Sequence, residues 1–570
     1  MKKIKLFIIV SILLAGSFAC KKTFLDETPL DFLSAKNAFQ NTNDFNASVN
    51  NLYRLVREEF YTKNDNDPFE YQYRTDLAFY VPAASPANLV GELSPISSIV
   101  SNHWTALYKI VAEANTVISR IPTSSLSDAD KKLFEAKGRF FRAFAYRGLA
   151  YVWGGVPLIT SEVTEPKIDY VRASRHDVYV QIIDDLKFAV ANLVDINAAS
   201  LKDGEISIQA ANHLLAEVYL ADGQFQNAVN ASTAVISSPG LALMTNRFGS
   251  RKAETPGDVY WDLFRKGNQN RKGGSGNTES IMVIQIETDV PGGAAISTTG
   301  FASGDGFSLE RTHVPLVRDV TINNVTAFVW PASDYSSGGR GVGFNAPSRY
   351  FIDSAYSADP VNDIRNANHN FVRKFKITNP ANPLYGQMLD FGNIPAGTKG
   401  TSGAVLVSGV PSRAFYPYQT KATEPGGHPT NLYVTPAPYP NALKGGAGFT
   451  YQDQYLIRLA ETYLIRAEAY LGAGNAASAI ADINTVRARS KAAPVSTVNI
   501  DVILDERMRE LGMEEKRLLT LMRLGKWYDR VVKCNPFYAS SALPKYNLWP
   551  IPQSEIERNR GAVLAQNPGY

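Results

Sequence analysis

The 570-residue chain has little cysteine, little histidine and almost no net charge of either sign. It holds two cysteines and six histidines, and 58 basic residues face 54 acidic ones. Three of the bases, Lys2, Lys3 and Lys5, lie at the extreme N-terminus, so the remainder is close to neutral. Because nucleic-acid binding needs clustered, uncompensated lysine and arginine, we predict no nucleic-acid partner.

The usual motifs of catalysis, metal binding and nucleotide binding are also missing. The sequence contains no HExxH, no GxSxG and no GxxxxGK[ST], and its scattered histidines include no pair at metal-ligand spacing. The run Gly341–Ala346 fits a dinucleotide fingerprint only nominally, because no strand precedes it and no helix follows, and we interpret it as loop. A glycosidase needs two carboxylates roughly 5–10 Å apart, which composition alone does not identify. We therefore predict a protein without catalytic residues, metal or cofactor.

Long hydrophobic runs are scarce, and the one at the N-terminus is too short to span a membrane. The basic segment Met1–Lys5 precedes ten apolar residues, Leu6–Ala15, whereas crossing about 30 Å of hydrocarbon takes about 20 residues. Small residues and then Ala19-Cys20 follow, so residues 1–19 are typical of a secretory signal peptide.

A cysteine at the expected cleavage point is typical of a bacterial lipoprotein, in which the thiol is acylated. The segment Ser17–Cys20 resembles a lipobox loosely, since Ser17 stands where leucine is usual. We predict lipidation of Cys20, and each buried methylene of the lipid contributes about 0.8 kcal/mol to membrane binding. A plain secreted protein is the alternative. With Cys20 acylated, Cys534 has no disulfide partner, and we expect a buried or half-buried free thiol there.

Helical patterns dominate both ends of the chain. Apolar residues recur at helical spacing, and Ser127 with Asp130 and Ser174 with Asp177 have the spacing of helix-capping boxes. The predicted helical segments are Thr42–Tyr61, Pro95–Ile121, Ser127–Gly154, Ser174–Leu193, Asp453–Ser490 and Asp501–Val532.

One internal repeat stands out. AEVYLADGQFQNA (Ala216–Ala228) aligns without a gap with AEAYLGAGNAASA (Ala467–Ala479). Small residues where helices cross, an aromatic knob and a glycine at the turn are typical of a tetratricopeptide helix pair. Such a pair cannot bury its apolar face alone, so it must stack on neighbouring pairs.

Between these helical ends lie two glycine-rich stretches. Residues 265–347 hold 13 glycines, and residues 386–448 hold 11 glycines and 8 prolines, without sustained helical periodicity. One short strand is predicted at Ser280–Thr288. We expect a mostly α fold: a helical scaffold over about 30–265 and 450–535, with long irregular insertions and a few short strands over about 265–450.

Aromatic residues alternate with polar ones in the segments that are not helical. A sugar ring has an apolar face and a polar rim, so a site for it needs flat aromatics beside amide, carboxylate or guanidinium groups. The same composition suits a peptide, and it also suits aromatics that attach loops to the helical body. The candidate ligand-binding residues are Tyr71, Tyr73, Arg74, Asp76, Tyr80, Trp261, Trp330, Asp334 and Tyr335.

Several spaced motifs resemble those of the SusD/RagB family of Bacteroidota lipoproteins, in the family's order and over essentially the whole mature chain. In the C-terminal third they are Arg458–Tyr470, Asp482–Arg489, Asp505–Leu511, Glu514–Arg523, Trp549–Pro552, Glu555-Ile556 and Gln566–Tyr570. In the N-terminal half they are Cys20 with Phe24-Leu25-Asp26, and Trp104 with Tyr108 and Ala114-Asn115.

The resemblance implies one mostly helical domain over 20–570, with about four tetratricopeptide-like helix pairs as its scaffold. It implies a protein tethered to the outer membrane through Cys20 and facing outside. There it would act as the lid of a SusC-like TonB-dependent transporter and deliver an oligosaccharide. A peptide ligand is the alternative, and a glycoside hydrolase is a third, more distant one. Members of this family bind and do not catalyse, in agreement with the missing catalytic motifs.

Overall fold

The computed structural model describes residues 39–61, 69–82, 89–290, 296 and 306–570. The predicted signal peptide, Cys20 and the Phe24-Leu25-Asp26 motif lie outside these residues. Within them the fold is mostly helical with a few short strands, as predicted, and none of their helices has the length and apolar character needed to cross a membrane.

Sixteen α-helices are numbered here in chain order within the described ranges. They are α1 (Thr42–Tyr61), α2 (Leu89–Glu92), α3 (Ser98–Arg120), α4 (Asp128–Trp153), α5 (Arg175–Asn192), α6 (Ile208–Ala221), α7 (Phe225–Ile236), α8 (Val259–Leu263), α9 (Leu309–His313), α10 (Leu459–Gly472), α11 (Ala476–Arg489), α12 (Ile500–Glu510), α13 (Arg517–Arg523), α14 (Trp527–Cys534), α15 (Pro536–Ala539) and α16 (Gln553–Arg558).

The strands of the described residues form five antiparallel two-stranded sheets. They pair β1 with β5, β2 with β10, β3 with β4, β6 with β9 and β7 with β8. The strands are β1 (Ala78–Tyr80), β2 (Ser280–Ile284), β3 (Thr321–Ile322), β4 (Val325–Thr326), β5 (Asn345–Pro347), β6 (Phe371–Val372), β7 (Lys374–Lys376), β8 (Met388–Asp390), β9 (Tyr418–Gln419) and β10 (Gln454–Arg458).

Local sequence determines where the longest helices begin and end. Ser127 accepts a hydrogen bond from the Asp130 amide at the start of α4, and Gly154, with φ of 76°, ends that helix. Ser174 and Asp177 form a complete capping box at the start of α5. These side chains satisfy amides that the first helical turn leaves without a partner, which confirms both predicted starts.

The two repeat units form helical hairpins, as predicted. α6 packs on α7, α10 packs on α11, and Gly223 and Gly474, with φ of 73° and 79°, make the two turns. Although the units are far apart in sequence, α10 also packs on α6 and α7. Across this contact His213 Nδ1 lies 2.8 Å from Thr462 Oγ1, so the two units are neighbours in one stack.

The other long helices extend this stack towards the N-terminus. α1 packs on α3, α3 on α4, α4 on α5 and α5 on α6. The C-terminal tail is held against α4, because the Trp153 indole donates to the Pro550 carbonyl (2.9 Å) and the Trp549 amide donates to the Val152 carbonyl (2.8 Å).

A buried ion network joins the helices to the irregular region. Glu510 lies between Arg365, Arg458 and Arg489, and Arg458 also pairs with Glu279 at 2.9 Å. Burial raises the pKa of Glu510, but the three arginines outweigh burial and hold it well below its ordinary value. Arg365 also pairs with Glu506 at 2.7 Å. We call Glu279, Arg365, Arg458, Arg489, Glu506 and Glu510 the ionic joint.

Cys534, the last residue of α14, is a buried free thiol, as expected. Burial raises its pKa to about 12, so the thiol is protonated at neutral pH.

Candidate functional site

The predicted site residues separate into buried ones and half-buried ones. Tyr71 and Tyr73 are each 1% exposed. The Tyr71 hydroxyl donates to Glu59 Oε1 at 2.7 Å, and its ring packs on Phe60 and His103. Both tyrosines lie in the interior: Tyr71 faces the helices, whereas the Tyr73 ring lies 5.5 Å from that of Tyr80.

Arg74 and Asp76 attach the same segment to the rest of the molecule. Arg74 pairs with Glu70 and Glu92. Asp76 accepts from Arg517 of α13 and Arg530 of α14, at 2.7 and 2.8 Å. Burial raises the pKa of Asp76, but the two guanidinium groups outweigh burial and lower it to about 2.

Trp261 is also an interior residue, 1% exposed, in the short helix α8. Three guanidinium groups surround its ring, with those of Arg265, Arg251 and Arg247 at 4.4, 5.0 and 5.8 Å from the ring centre. Arginine on an aromatic face is stabilising when both are shielded from water, so this cluster stabilises the irregular region internally.

Asp334 and Tyr335 lie in a turn and are half-buried. Asp334 accepts hydrogen bonds from the Ser336 and Ser337 amides at 2.8 and 2.7 Å, and burial raises its pKa. The Tyr335 carbonyl accepts from the Tyr418 hydroxyl at 2.6 Å. These contacts stabilise the turn. Ligand binding stays a prediction for Asp334, Tyr335 and Trp261, and also for the buried residues of the 69–82 segment, Tyr71, Tyr73, Arg74 and Asp76.

The half-buried rings form a different surface. The β1–β5 ladder places Tyr80 opposite Asn345, so the Tyr80 ring lies 6.1 Å from that of Phe344. On the other side of β1, the Phe79 ring lies 4.8 Å from that of Phe537. All four rings are half-buried, so each keeps part of a flat apolar surface in contact with solvent.

A further half-buried ring, that of Trp330, lies earlier on the segment that leads to Phe344. Its indole donates to the Gly341 carbonyl at 3.1 Å. A Cβ on Gly341 would overlap Val314, and one on Gly343 would overlap the Arg413 carbonyl oxygen. Only glycine therefore lets the chain pass this close, which sets the position of Trp330 relative to Phe344.

Arginines lie over both of these rings. Arg318 and Arg340 are 5.0 and 5.6 Å from the centre of the Trp330 ring. Arg413 and Arg311 are 5.3 and 5.6 Å from the centre of the Phe344 ring. We call the rings of Tyr80, Trp330 and Phe344, with these four arginines, the aromatic face.

Sequence reasoning identified Tyr80 and Trp330 but missed Phe344, and it also missed the pair of Phe79 with Phe537 on the other side of β1. The signal for Phe344 was its place after Gly341 and Gly343, which we had interpreted as loop. Phe537 carries no local signal, because its neighbour Phe79 is remote in sequence. Among the described residues, no group of three or more histidine, cysteine or acidic side chains is placed to hold a metal ion.

Comparison with known families gives two matches that do not overlap. Residues 331–570 match the model described as SusD family, and residues 23–220 match one described as starch-binding associating with outer membrane. Together they span more than half of the chain.

Individual relatives extend over nearly all of the chain. A SusD-like protein of Bacteroides ovatus is 26% identical over 559 residues, which cover 93% of this chain and 82% of the relative. A laminarin-binding SusD-like protein of known structure is 24% identical with a TM-score of 0.65, covering 93% of this chain and all of the other. A structure described with xylogluco-oligosaccharide is 21% identical with a TM-score of 0.60, covering 91% and 99%. At these identities the two structures show a shared fold.

Proposed function

The chain belongs to the SusD family, and from that premise we propose that it is a lipid-anchored outer-membrane protein that binds oligosaccharides without cleaving them. The description of the second family model, starch-binding associating with outer membrane, supports both the location and the class of ligand. Relatives named for laminarin binding or solved with xylogluco-oligosaccharide support a glycan rather than a peptide.

The aromatic face is the observation that carries the proposal. Half-buried rings such as Tyr80, Trp330 and Phe344 offer flat apolar surfaces to the C–H face of a sugar ring. Guanidinium groups beside them, such as Arg318 and Arg413, donate hydrogen bonds to hydroxyl groups on the sugar rim. A row of such positions suits an oligomer better than a single sugar.

This surface is open, so we expect weak binding. Dissociation constants between about 1 μM and 1 mM correspond to roughly −8 to −4 kcal/mol. Weak binding also suits a protein that must release its ligand to a second protein, and we propose a SusC-like TonB-dependent transporter as that partner.

Calorimetric titration with laminarin- and xyloglucan-derived oligosaccharides tests the ligand class. We expect binding to at least one of them and a loss of at least tenfold in affinity in Trp330→Ala, because the indole supplies the largest ring of the face. Tyr385→Ala is the matched control: Tyr385 is 56% exposed and lies outside the aromatic face, so its removal should leave affinity unchanged.

Three results would contradict the proposal. One is binding of peptides with no binding of any glycan in a broad panel. Another is equal affinity in Trp330→Ala and the parent. The last is turnover of an oligosaccharide by the purified protein, which would make it an enzyme.

The membrane anchor is tested separately at Cys20. We expect Cys20→Ser to abolish incorporation of radiolabelled palmitate and to release the protein from the membrane fraction. Retention of the variant in that fraction would overturn the lipid anchor while leaving the ligand class untouched.

A further inference from the structure

A long groove runs along α3, away from the aromatic face. Its main cavity has a volume of about 540 Å³ and is lined by α3, by residues 157–170 and by the C-terminal tail around α16. A second cavity of about 260 Å³ shares Thr105, Lys109, Glu555 and Arg558 with the first, so the two form one groove. We call it the α3 groove.

The α3 groove is about as long as a short extended peptide. Its lining on α3 runs from Ser101 to Thr116, and at 1.5 Å per residue this is roughly 22 Å. An extended chain rises about 3.3 Å per residue, so about seven residues fill that length.

The main cavity of the groove favours apolar side chains over a sugar. Several of its polar lining groups are engaged within the protein: the Tyr108 hydroxyl donates to the Pro157 carbonyl (2.8 Å), and the Asn115 amide donates to the Ile159 carbonyl (2.9 Å). Glu162 pairs with Arg120 at 2.7 Å. These groups are not free to bind an oligosaccharide, whereas the second cavity is lined mostly by polar residues.

Apolar side chains around the groove remain exposed. Val163, which lines it, is 49% exposed, and Ile168 and Val171 in the same segment are 53% and 65% exposed. Val563, beside the lining residue Leu564, is 84% exposed. Clustered exposed apolar groups beside a cavity indicate that another chain segment covers them.

We infer that the occupant is this chain's own N-terminal segment, with about seven of residues 24–33 lying in the groove. The described chain begins at Phe39 and Gln40, and the Gln40 carbonyl accepts from the Ser125 amide at 3.1 Å, just beyond the end of α3. Residues 34–38, when extended, span about 17 Å. That reaches from this point to the Thr116 end of the groove.

The chemistry of the segment matches the groove. Residues 24–33 hold five large apolar side chains, those of Phe24, Leu25, Leu30, Phe32 and Leu33. From Thr23 to Ala35 there are three acids and no base, and the charged residues that line the groove, Lys109, Lys167 and Arg558 with Glu162 and Glu555, are net basic. Only three residues separate the segment from Cys20, so docking restricts the point at which the proposed lipid tether leaves the domain. This inference does not depend on the ligand of the aromatic face.

Hydrogen exchange measured by mass spectrometry on the full chain tests the inference. We expect the amides of residues 24–33 to exchange at least tenfold more slowly than those of an unstructured chain. Ala112→Arg places a long side chain in the groove from an exposed position of α3, and it should raise those exchange rates at least tenfold. Ala481→Arg, at an exposed position of α11 remote from the groove, should not change them.

A second variant changes the N-terminal segment and measures hydrogen exchange in the groove wall. Leu30→Ser with Phe32→Ser should speed exchange in residues 159–171 while leaving the melting temperature within a few degrees of the parent. Unprotected amides at 24–33 in the parent, or the same protection in Ala112→Arg, would overturn the inference. So would protection that appears only at high protein concentration, which indicates a second copy, or only with added oligosaccharide.

Discussion

The stacked helices and the irregular region between Ile236 and Gln454 reach a fixed structure by different means. In the stack, one pattern of small and apolar residues recurs, and each helix pair covers the apolar face of the next. In the irregular region, single contacts without a repeat fix the chain: Trp261 among three arginines, glycines at close approaches, and the ionic joint. In the helical stack many similar contacts contribute to stability, so we expect a single substitution to be tolerated. In the irregular region stability depends on individual residues.

The largest effect should come from the residue at which both regions meet. Glu510→Gln removes the one carboxylate that Arg365, Arg458 and Arg489 share in the interior. Breaking a buried ion pair on one side costs about 3–5 kcal/mol, and we expect that loss in the free energy of unfolding, measured with denaturant. Glu165→Gln, at an exposed position, should change it by less than about 0.5 kcal/mol. Equal stability of the two variants would mean that the ionic joint does not connect the regions energetically.

The next largest effect is a pH dependence of the free energy of unfolding. It arises from Asp76 in the 69–82 segment, which ion pairs hold in place, and not from the apolar packing of the helix pairs. The pKa of Asp76 is about 2 in the folded protein, below its ordinary value of 3.8. Its contribution is therefore complete above about pH 4 and is lost as the pH falls towards 2, by roughly 2 kcal/mol. We expect the difference in unfolding free energy between the parent and Asp76→Asn to shrink by that amount between pH 5 and pH 2. A difference that stays constant with pH would contradict the ion pairs of Asp76 with Arg517 and Arg530.

A smaller effect on the free energy of unfolding should distinguish a glycine required by a close contact, Gly343, from one required only by its positive φ, Gly386. Gly343 and Gly386 both have positive φ, of 69° and 81°, but only at Gly343 would a Cβ overlap another atom, the Arg413 carbonyl oxygen. We expect Gly343→Ala to cost at least about 1 kcal/mol more than Gly386→Ala in unfolding free energy. Gly343→Ala should also weaken oligosaccharide binding, because Trp330 and Phe344 shift apart, and calorimetric titration of both variants checks this. Identical affinities would show that the spacing of these rings does not matter.

The sequence predicted most of the long helices well because their determinants are local, but the predicted helical segment Asp453–Ser490 was wrong at its start, where Gln454–Arg458 form strand β10. The predicted segment Thr42–Tyr61 has the same bounds in the structure, and α3 begins and ends within three residues of its prediction. Apolar spacing, serine caps and a terminating glycine all act within a few residues of the helix they define. The repeat also predicted that helix pairs must stack, since neither unit can bury its apolar face alone.

The candidate site was less predictable because burial there depends on distant residues. Tyr71 and Tyr80 share one aromatic segment, yet Tyr71 faces Glu59 and His103 while Tyr80 faces Phe344. Asp76 becomes an interior anchor only through arginines in α13 and α14. Composition identified the segment, but only tertiary pairing decides which of its side chains remain accessible.

The antiparallel pairing of β2 with β10 has a consequence for how this architecture diversifies. The chain departs from the stack after α7 and returns through β10, directly into α10, which packs against α7 itself. The two ends of the irregular region between Ile236 and Gln454 are thus adjacent. We therefore expect that this region, the excursion, can be lengthened or exchanged without changing how the helices pack, provided that Glu279 and Arg365 are retained. Grafting this excursion from one family member to another should transfer the part of the aromatic face that Trp330 and Phe344 supply, while Tyr80 stays with the recipient.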